Sequence, residues 1–314
     1  VRDVEQWKEE YGRGVVDASQ TILFEYANPN THKELHIGHF RNFILGTSLS
    51  RILKHGGVQI TPVSYINDVG RDVAKTLWFL VVKNGVTLEK LTEDQTRTLL
   101  EKIPADQHTA NFLGKTYIEA NKASEEQEDA KQQISYVQSQ LEAHTPAWEL
   151  LWRETRQWCV YEFQQIFDEL GIKIQRQYFE SEVIDQAGPI VDRLLKEGIA
   201  KESQGAIIVD LEEKKLEVMI VRKSDGNLLY ASKDLPLALL KIKEYPSLTH
   251  CYILTDNRQN LYFKQLAAIL GMMGVKQVFG NIGYGLVTLP EGAMSSRKGN
   301  VITYQWLHDT VIEE

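Results

Sequence analysis

The sequence predicts an α/β fold, a parallel sheet flanked by helices. Two observations carry it: residues 21–66 and residues 252–279 each read strand, helix, strand, and turn formers separate the strands from the helices. A third supports it: with 314 residues, 43% of them apolar and 25% charged, the chain is large enough for one sizeable α/β domain carrying insertions.

In chain order, residues 2–16 read as a short helical lead-in ending near Gly12 and Gly14. Residues 21–26 are rich in aromatic and β-branched types and predict a strand, which Ala27-Asn28-Pro29-Asn30 turns into a loop. From His39, the apolar positions Phe40, Phe43, Ile44, Leu49, Ile52 and Leu53 recur at helical spacing until Gly56-Gly57. Residues 58–66 predict a second strand, with Pro62 implying an edge position or a strand start. From about residue 84 to 153 the pattern turns polar and helical, and the charged run Glu125-Glu126-Gln127-Glu128-Asp129 reads as a solvated helix face. Trp148, Trp152, Val160, Phe163, Ile166, Phe167 and Leu170 make an amphipathic helix stopped by Gly171. Residues 206–211 and 216–222, joined by Glu-Glu-Lys-Lys, predict a small β-hairpin. Helix 229–240, strand 252–254, helix 261–273 and strand 278–279 complete the sheet. No internal repeat or low-complexity tract interrupts this order.

His36-Ile37-Gly38-His39 stands where the first strand's carboxyl end meets a helix amino terminus. In an open α/β sheet ligands bind there, and the free N–H groups of a helix start favour a phosphate. Imidazoles donate hydrogen bonds to phosphate oxygens, and Gly38, lacking Cβ, lets a flat base lie close to the backbone. The arrangement suits a nucleoside triphosphate. Much later, Met294-Ser295-Ser296-Arg297-Lys298-Gly299-Asn300 gathers two hydroxyls, two cations and a glycine into one loop, a mobile clamp able to follow a pyrophosphate as its charge develops. Taken singly, the residues also allow blander readings: a capping or surface histidine and a solvated basic turn.

Taken in order, these motifs resemble a class I aminoacyl-tRNA synthetase catalytic domain, and within that class the arginyl-tRNA synthetases. The resemblance rests on Phe24-Glu25-Tyr26-Ala27-Asn28-Pro29-Asn30, Lys33-Glu34-Leu35-His36-Ile37-Gly38-His39-Phe40-Arg41-Asn42 and Tyr65-Ile66-Asn67-Asp68-Val69-Gly70-Arg71. It continues through Lys223-Ser224-Asp225-Gly226, Leu229-Tyr230-Ala231-Ser232-Lys233-Asp234-Leu235 and Gly285-Leu286-Val287 to the clamp loop, thinning between about residues 84 and 153. Two departures stand out. The class loop is written KMSKS, and here Ala293 and Ser296 occupy its two lysine positions. Arginine enzymes often lack the second lysine and place one just before the HIGH tetrad, where this chain has Lys33. The swap is physically sensible, because a cation near the triphosphate matters more than its address in the sequence. The family also commonly shows a histidine three residues after Gln259, where this chain has Tyr262.

The resemblance implies a Rossmann-like sheet with a helical connective insertion and the small β-hairpin insertion. The expected divisions are a lead-in at 1–19, the first half of the nucleotide fold at 20–83, the insertion at 84–154, a return to the core at 155–187, the hairpin insertion at 188–228 and the second half at 229–314. It implies catalytic roles for Lys33, His36, His39, Ser296, Arg297 and Lys298, and ATP contacts from His36, Gly38, His39, Met294, Ser295, Ser296 and Lys298, with Mg2+ accompanying ATP and no structural metal. It places L-arginine on Glu25, Asn30, Tyr230, Asp234 and Gln259. A guanidinium is planar, always charged and has five donors, so it calls for a carboxylate and an aromatic wall. Asp234 and Tyr230 share a helix face at a spacing of four, although by themselves they also read as a solvated carboxylate and half-buried packing.

The same resemblance names tRNA(Arg) as partner and implies a cytoplasmic monomer. No 18-residue apolar stretch or signal-peptide pattern points to a membrane or secreted role. Cys159 and Cys251 are too few for a disulfide framework and read as free buried thiols, and no histidine cluster has zinc spacing. The net charge of −8 predicts weak tRNA binding by this segment alone. Relatives continue into a helical anticodon-binding domain and often carry an extra domain ahead of the catalytic one. Other enzymes of the same superfamily, such as the cysteine and glutamine synthetases or a cytidylyltransferase, and a binding paralogue without catalysis are the alternative readings.

Overall fold

The computed structural model describes residues 2–14, 19–289, 292–293 and 301–313. They form two compact units, one of residues 1–27, 42–65 and 174–286, the other of residues 28–41, 66–173 and 287–314.

The first unit holds a five-stranded sheet. Its strands are β1 (Thr21–Glu25), β2 (Gln59–Ile66), β3 (Arg176–Phe179), β7 (His250–Asp256) and β8 (Val278–Tyr284), in the order β3-β2-β1-β7-β8. β1 runs parallel to β2, with Thr21 opposite Gln59 and Glu25 opposite Val63, and parallel to β7, with Ile22 opposite His250; β7 runs parallel to β8. As the central strand, β1 is covered on both faces, which is why its sequence is a continuous buried run and not an alternation. The chain winds from β1 to β2 on one side and later from β7 to β8 on the other. The order therefore switches between β1 and β7, and the carboxyl ends of those two strands flank the crevice where such sheets take ligands.

Pro62 does not mark an edge. β2 lies between β3 and β1, and the Pro62 carbonyl accepts from the Gln175 N–H at 2.9 Å, one residue before β3 begins. The proline sits where the neighbouring strand is only starting, so its missing donor removes nothing from the body of the ladder.

Helix α2 (Ile37–His55) follows β1, and α10 (Asn260–Met272) joins β7 to β8. A Cβ on Gly46 of α2 would lie 2.3 Å from the Tyr26 ring, so glycine is required for the helix to approach the strand this closely. Asn42 ties three strand ends together: its Oδ1 accepts from the Ala27 N–H at 2.8 Å, and its Nδ2 donates to the Leu254 carbonyl at 2.8 Å and to the Tyr284 hydroxyl at 3.2 Å. Helix α9 (Tyr230–Glu244) packs through Ala231, Leu235 and Ala238 into a core with Ile253, Phe263, Leu266 and Leu270.

The expected hairpin is the greater part of a three-stranded antiparallel sheet. β5 (Ala206–Asp210) and β6 (Val218–Arg222) fall where the alternation places them, and β4 (Lys201–Ser203) adds a strand on the other side of β5. With only three residues, Lys-Glu-Ser, none of them apolar, β4 leaves no sequence pattern to read. Helix α8 (Ala187–Lys196) covers this sheet with Ile190, Val191 and Leu194.

The second unit is helical. α3 (Arg71–Lys83) packs against α5 (Ala110–Glu126) and α6 (Ala130–Glu142), and α7 (Pro146–Glu169) packs against α4 (Glu93–Glu101) and α5. The insertion expected at 84–154 is helical, and the expected division at 154/155 falls inside α7, which runs unbroken over 24 residues. α11 (Tyr304–Glu313) returns to this unit, its Tyr304 N–H donating to the Leu35 carbonyl at 2.8 Å. β9 (Thr288–Leu289) and β10 (Gly292–Ala293) form a short antiparallel pair ahead of residue 294 in the sequence. Both cysteines are buried and free, and no described helix is long and apolar enough to cross a membrane.

Candidate active site

In the second unit the tetrad is built around its two imidazoles. The rings of His36 and His39 lie 3.9 Å apart between centroids. The Gly38 N–H donates to His36 Nδ1 at 3.1 Å, and the His36 N–H donates to His39 Nδ1 at 3.2 Å. Each Nδ1 therefore accepts, and each ring carries its proton on Nε2. Burial, then the Lys33 charge, holds His36 below its ordinary value; burial, then His36 and Lys33, holds His39 well below. Both are neutral donors at physiological pH. A Cβ on Gly38 would lie 2.9 Å from His36 Cε1, so the glycine that the sequence assigns to a flat base also leaves room for the imidazole. The backbone is fixed as well: the Ile37 N–H donates to the Ile302 carbonyl at 2.9 Å.

Lys33 is ion-paired. Its Nζ lies 2.5 Å from Asp72 Oδ2 and 5.2 Å from the centre of the Tyr117 ring. Asn30 forms a parallel bridge with Asn67 in the loop that follows β1. Beneath that loop His32 is fully buried, its Nδ1 3.0 Å from Thr31 Oγ1 and its Nε2 2.9 Å from Thr155 Oγ1. Burial, reinforced by the Arg156 charge, depresses it to about 3. Met294, Ser295, Ser296, Arg297 and Lys298 lie outside the described residues.

In the first unit Glu25 and Asp234, the acidic residues expected to meet a cationic substrate, are gathered with Glu180, and each has its own partner. Glu25, at the carboxyl end of β1, is 3% exposed and forms an ion pair with Lys241, which is 2% exposed. Burial opposes the Lys241 charge, but Glu25, Cys251 and Asp234 together keep its ammonium above the usual value. Glu180 is buried and ion-paired with Lys233. Asp234 differs from both. Among the described residues it enters no ion pair, and its carboxylate accepts a hydrogen bond from the Tyr262 hydroxyl. Burial raises it to about 7; Glu25 and Glu180 add to the rise, while the Tyr262 bond and Lys241 oppose it. Burial and Asp234 in turn push the Tyr262 hydroxyl well above its ordinary value.

Tyr230 opens α9 one turn before Asp234 and is 72% exposed, so the half-buried packing that its sequence context also allowed is not its state. Gln259 is exposed at the start of α10, where its side chain bonds the Asp256 carboxylate. The structure thus brings Glu25, Tyr230 and Asp234 onto one unit with Tyr262, the residue that replaces the family's histidine. Lys241, Asp72 and Tyr117 escaped the sequence reading, which named Tyr262 only as a departure from the family pattern. Lys241 had a faint signal, since it stands among the apolar positions of α9, two turns after Asp234.

The first unit is an open α/β sheet, an architecture that takes ligands at the carboxyl ends of its strands. Residues 6–314 match the family described as tRNA synthetases class I (R), catalytic domain, and the chain belongs to that family. It is 36% identical over 300 residues to the arginine–tRNA ligase of Bdellovibrio bacteriovorus, covering 93% of this chain and 49% of that protein. With the arginine–tRNA ligase of Treponema denticola the identity is 32% over 313 residues, covering 98% of this chain and 50% of the relative. The chain spans about half the length of the curated relatives it matches. Among solved structures, Thermus thermophilus arginyl-tRNA synthetase superposes with a TM-score of 0.69 at 20% identity, over 94% of this chain and 53% of that one, a likeness of fold.

Proposed function

We propose that this chain is the catalytic domain of an arginine–tRNA ligase. It activates L-arginine with ATP to arginyl-adenylate and pyrophosphate, then transfers arginine to the 3′ end of tRNA(Arg). The observation that carries the substrate is Asp234. Of the three gathered carboxylates, it is the one with a neutral hydroxyl and no lysine for a partner, and burial makes its charge costly until a cation arrives. A guanidinium supplies that cation in a form a carboxylate accepts through two parallel hydrogen bonds, and exposed Tyr230, one turn away, offers it an aromatic wall. Glu25, Asn30 and Gln259 serve the remaining amino, carboxylate and side-chain groups of arginine.

For ATP, His36 and His39 present neutral Nε2–H donors, Gly38 lies under the base, and Lys33 with Met294, Ser295, Ser296, Arg297 and Lys298 serves the phosphates. The arginine carboxylate attacks the α-phosphorus and expels pyrophosphate; a ribose hydroxyl of the terminal adenosine, the 2′ position, then attacks the adenylate carbonyl and releases AMP. Positioning and charge stabilisation account for most of the rate, with no general base and no covalent enzyme intermediate. In this reading Mg2+ accompanies ATP and would neutralise the charge of its phosphates. The enzyme acts as a cytoplasmic monomer.

The test is a calorimetric titration with a non-hydrolysable arginyl-adenylate analogue, run beside the cysteinyl and glutaminyl analogues and adenosine alone. A strong preference for the arginyl compound, lost in Asp234→Ala while ATP still binds, is the expected result. Equal binding of all three analogues refutes arginine as the substrate. His39→Ala lowers turnover far more than arginine affinity, and a variant with normal turnover removes His39 from catalysis.

A further inference from the structure

Lys33, Asp72 and Tyr117 close a triangle. The Lys33 ammonium sits 2.5 Å from Asp72 Oδ2, the Tyr117 hydroxyl donates to the other carboxylate oxygen, Oδ1, at 3.2 Å, and the ammonium lies 5.2 Å from the Tyr117 ring centre. Tyr117 is buried in the middle of α5, and Asp72 lies in the first turn of α3, where the helix dipole favours a negative charge. The neighbouring cation on α3, Lys75, is engaged elsewhere, donating to Asn121 Oδ1 at 2.7 Å. Lys33 itself is close enough for its charge to bear on both His36 and His39.

We propose that Asp72 and Tyr117 are positioning residues that hold Lys33 as a latch, so that a nucleoside triphosphate must compete with Asp72 for the ammonium. The inference rests on the reading above that Lys33 serves the phosphates. The Tyr117 hydroxyl pins one carboxylate oxygen and leaves the other aimed at Lys33, while its ring covers the ammonium from a second side. The pair is partly open, with side chains 23% and 36% exposed, and pairs of this kind hold their partners weakly enough for a polyanion to displace them. Tyr117 belongs to the helical insertion. A displacement of α5 would therefore change how firmly the ammonium is held, which gives the insertion a direct means of setting nucleotide affinity.

The experiment is calorimetric titration of a magnesium-loaded β,γ-imido ATP analogue into the wild-type chain, Asp72→Asn, Lys33→Ala and the double variant. Asp72→Asn tightens binding by up to about fivefold, the range that a partly exposed pair supports. Lys33→Ala weakens it, and adding Asp72→Asn to Lys33→Ala changes nothing further, because the latch has lost its cation. Tyr117→Phe gives a smaller gain of the same sign, and Asp72→Ser, compatible with a helix start, repeats the result if the amide disturbs α3. Unchanged or weaker binding by both Asp72 variants overturns the latch. So does equal tightening in the Lys33→Ala background, which would reveal simple removal of a repelling charge. A wild-type chain that binds no nucleotide removes the reading of Lys33 and this inference together; normal wild-type binding without a gain removes the latch alone.

Discussion

Arginine affinity should depend on pH through Asp234. With its carboxyl raised to about 7, Asp234 holds a proton below that pH, and a guanidinium cannot pair with the neutral acid. The guanidinium stays charged throughout. Arginine therefore has to displace a proton at low pH, and affinity rises as pH rises through 7. Apparent affinity scales with the ionised fraction, roughly one part in eleven at pH 6 and nine in ten at pH 8, so the dissociation constant should be about tenfold larger at pH 6. An aspartate at its ordinary value of 3.8 would give a flat profile across this window. The imidazoles do not mimic the effect, since His36 and His39 are both held below their usual value. Calorimetry in two buffers of different ionisation enthalpy reads the affinity and the release of about half a proton at pH 7. Equal affinity at pH 6 and pH 8, or a tenfold slope that survives in Asp234→Asn, refutes the reasoning.

Three further outcomes follow from neighbouring groups. Tyr262→Phe removes the hydroxyl that opposes the rise of Asp234, so the midpoint of the arginine profile should move above 7 and the loss of affinity at neutral pH should vanish by about pH 9; an unmoved midpoint rejects the role of the Tyr262 bond. Lys241→Met leaves Glu25 buried without its cation and should cost about 3–5 kcal/mol in urea unfolding, most of it recovered by adding Glu25→Gln; a cost below about 1 kcal/mol would mean that water reaches the pair. His32 is depressed to about 3 in the folded chain against 6.5 unfolded, so the unfolded state takes up the proton first. Its contribution is complete above pH 6.5 and is lost as pH falls toward 3, at about 1.4 kcal/mol per pH unit. Denaturant midpoints from pH 6 to pH 4 should fall more steeply for wild type than for His32→Asn, chosen because asparagine tolerates the left-handed backbone at φ +57°.

Much of the parallel sheet was legible because its central strand β1 is a continuous buried run and its helices carry apolar positions at helical spacing. Both signals are local. β4 was not legible, since three residues on an edge need no pattern, and Pro62 pointed to the wrong place because its consequence depends on where the neighbouring strand begins, which is set by a segment more than a hundred residues away. In the candidate site, the helix start carrying His36, Gly38 and His39 could be placed from four consecutive letters, and the shared helix of Tyr230 and Asp234 from one helical turn.

The sequence by itself determined β1, β2 and β5 to β8 in their order, the helix start that carries the tetrad and the residue types available for a phosphate and a guanidinium, because each follows from periodicity and short-range chemistry. Only the tertiary structure decided which charges are satisfied. Lys241 meets Glu25 across 216 positions, Lys233 meets Glu180 across 53, and Tyr262 meets Asp234 across 28. These pairings are what leave Asp234 without a cation and Lys33 held by Asp72. Electrostatic interaction depends on distance in space and on desolvation, and neither is written in the spacing of residues along a chain.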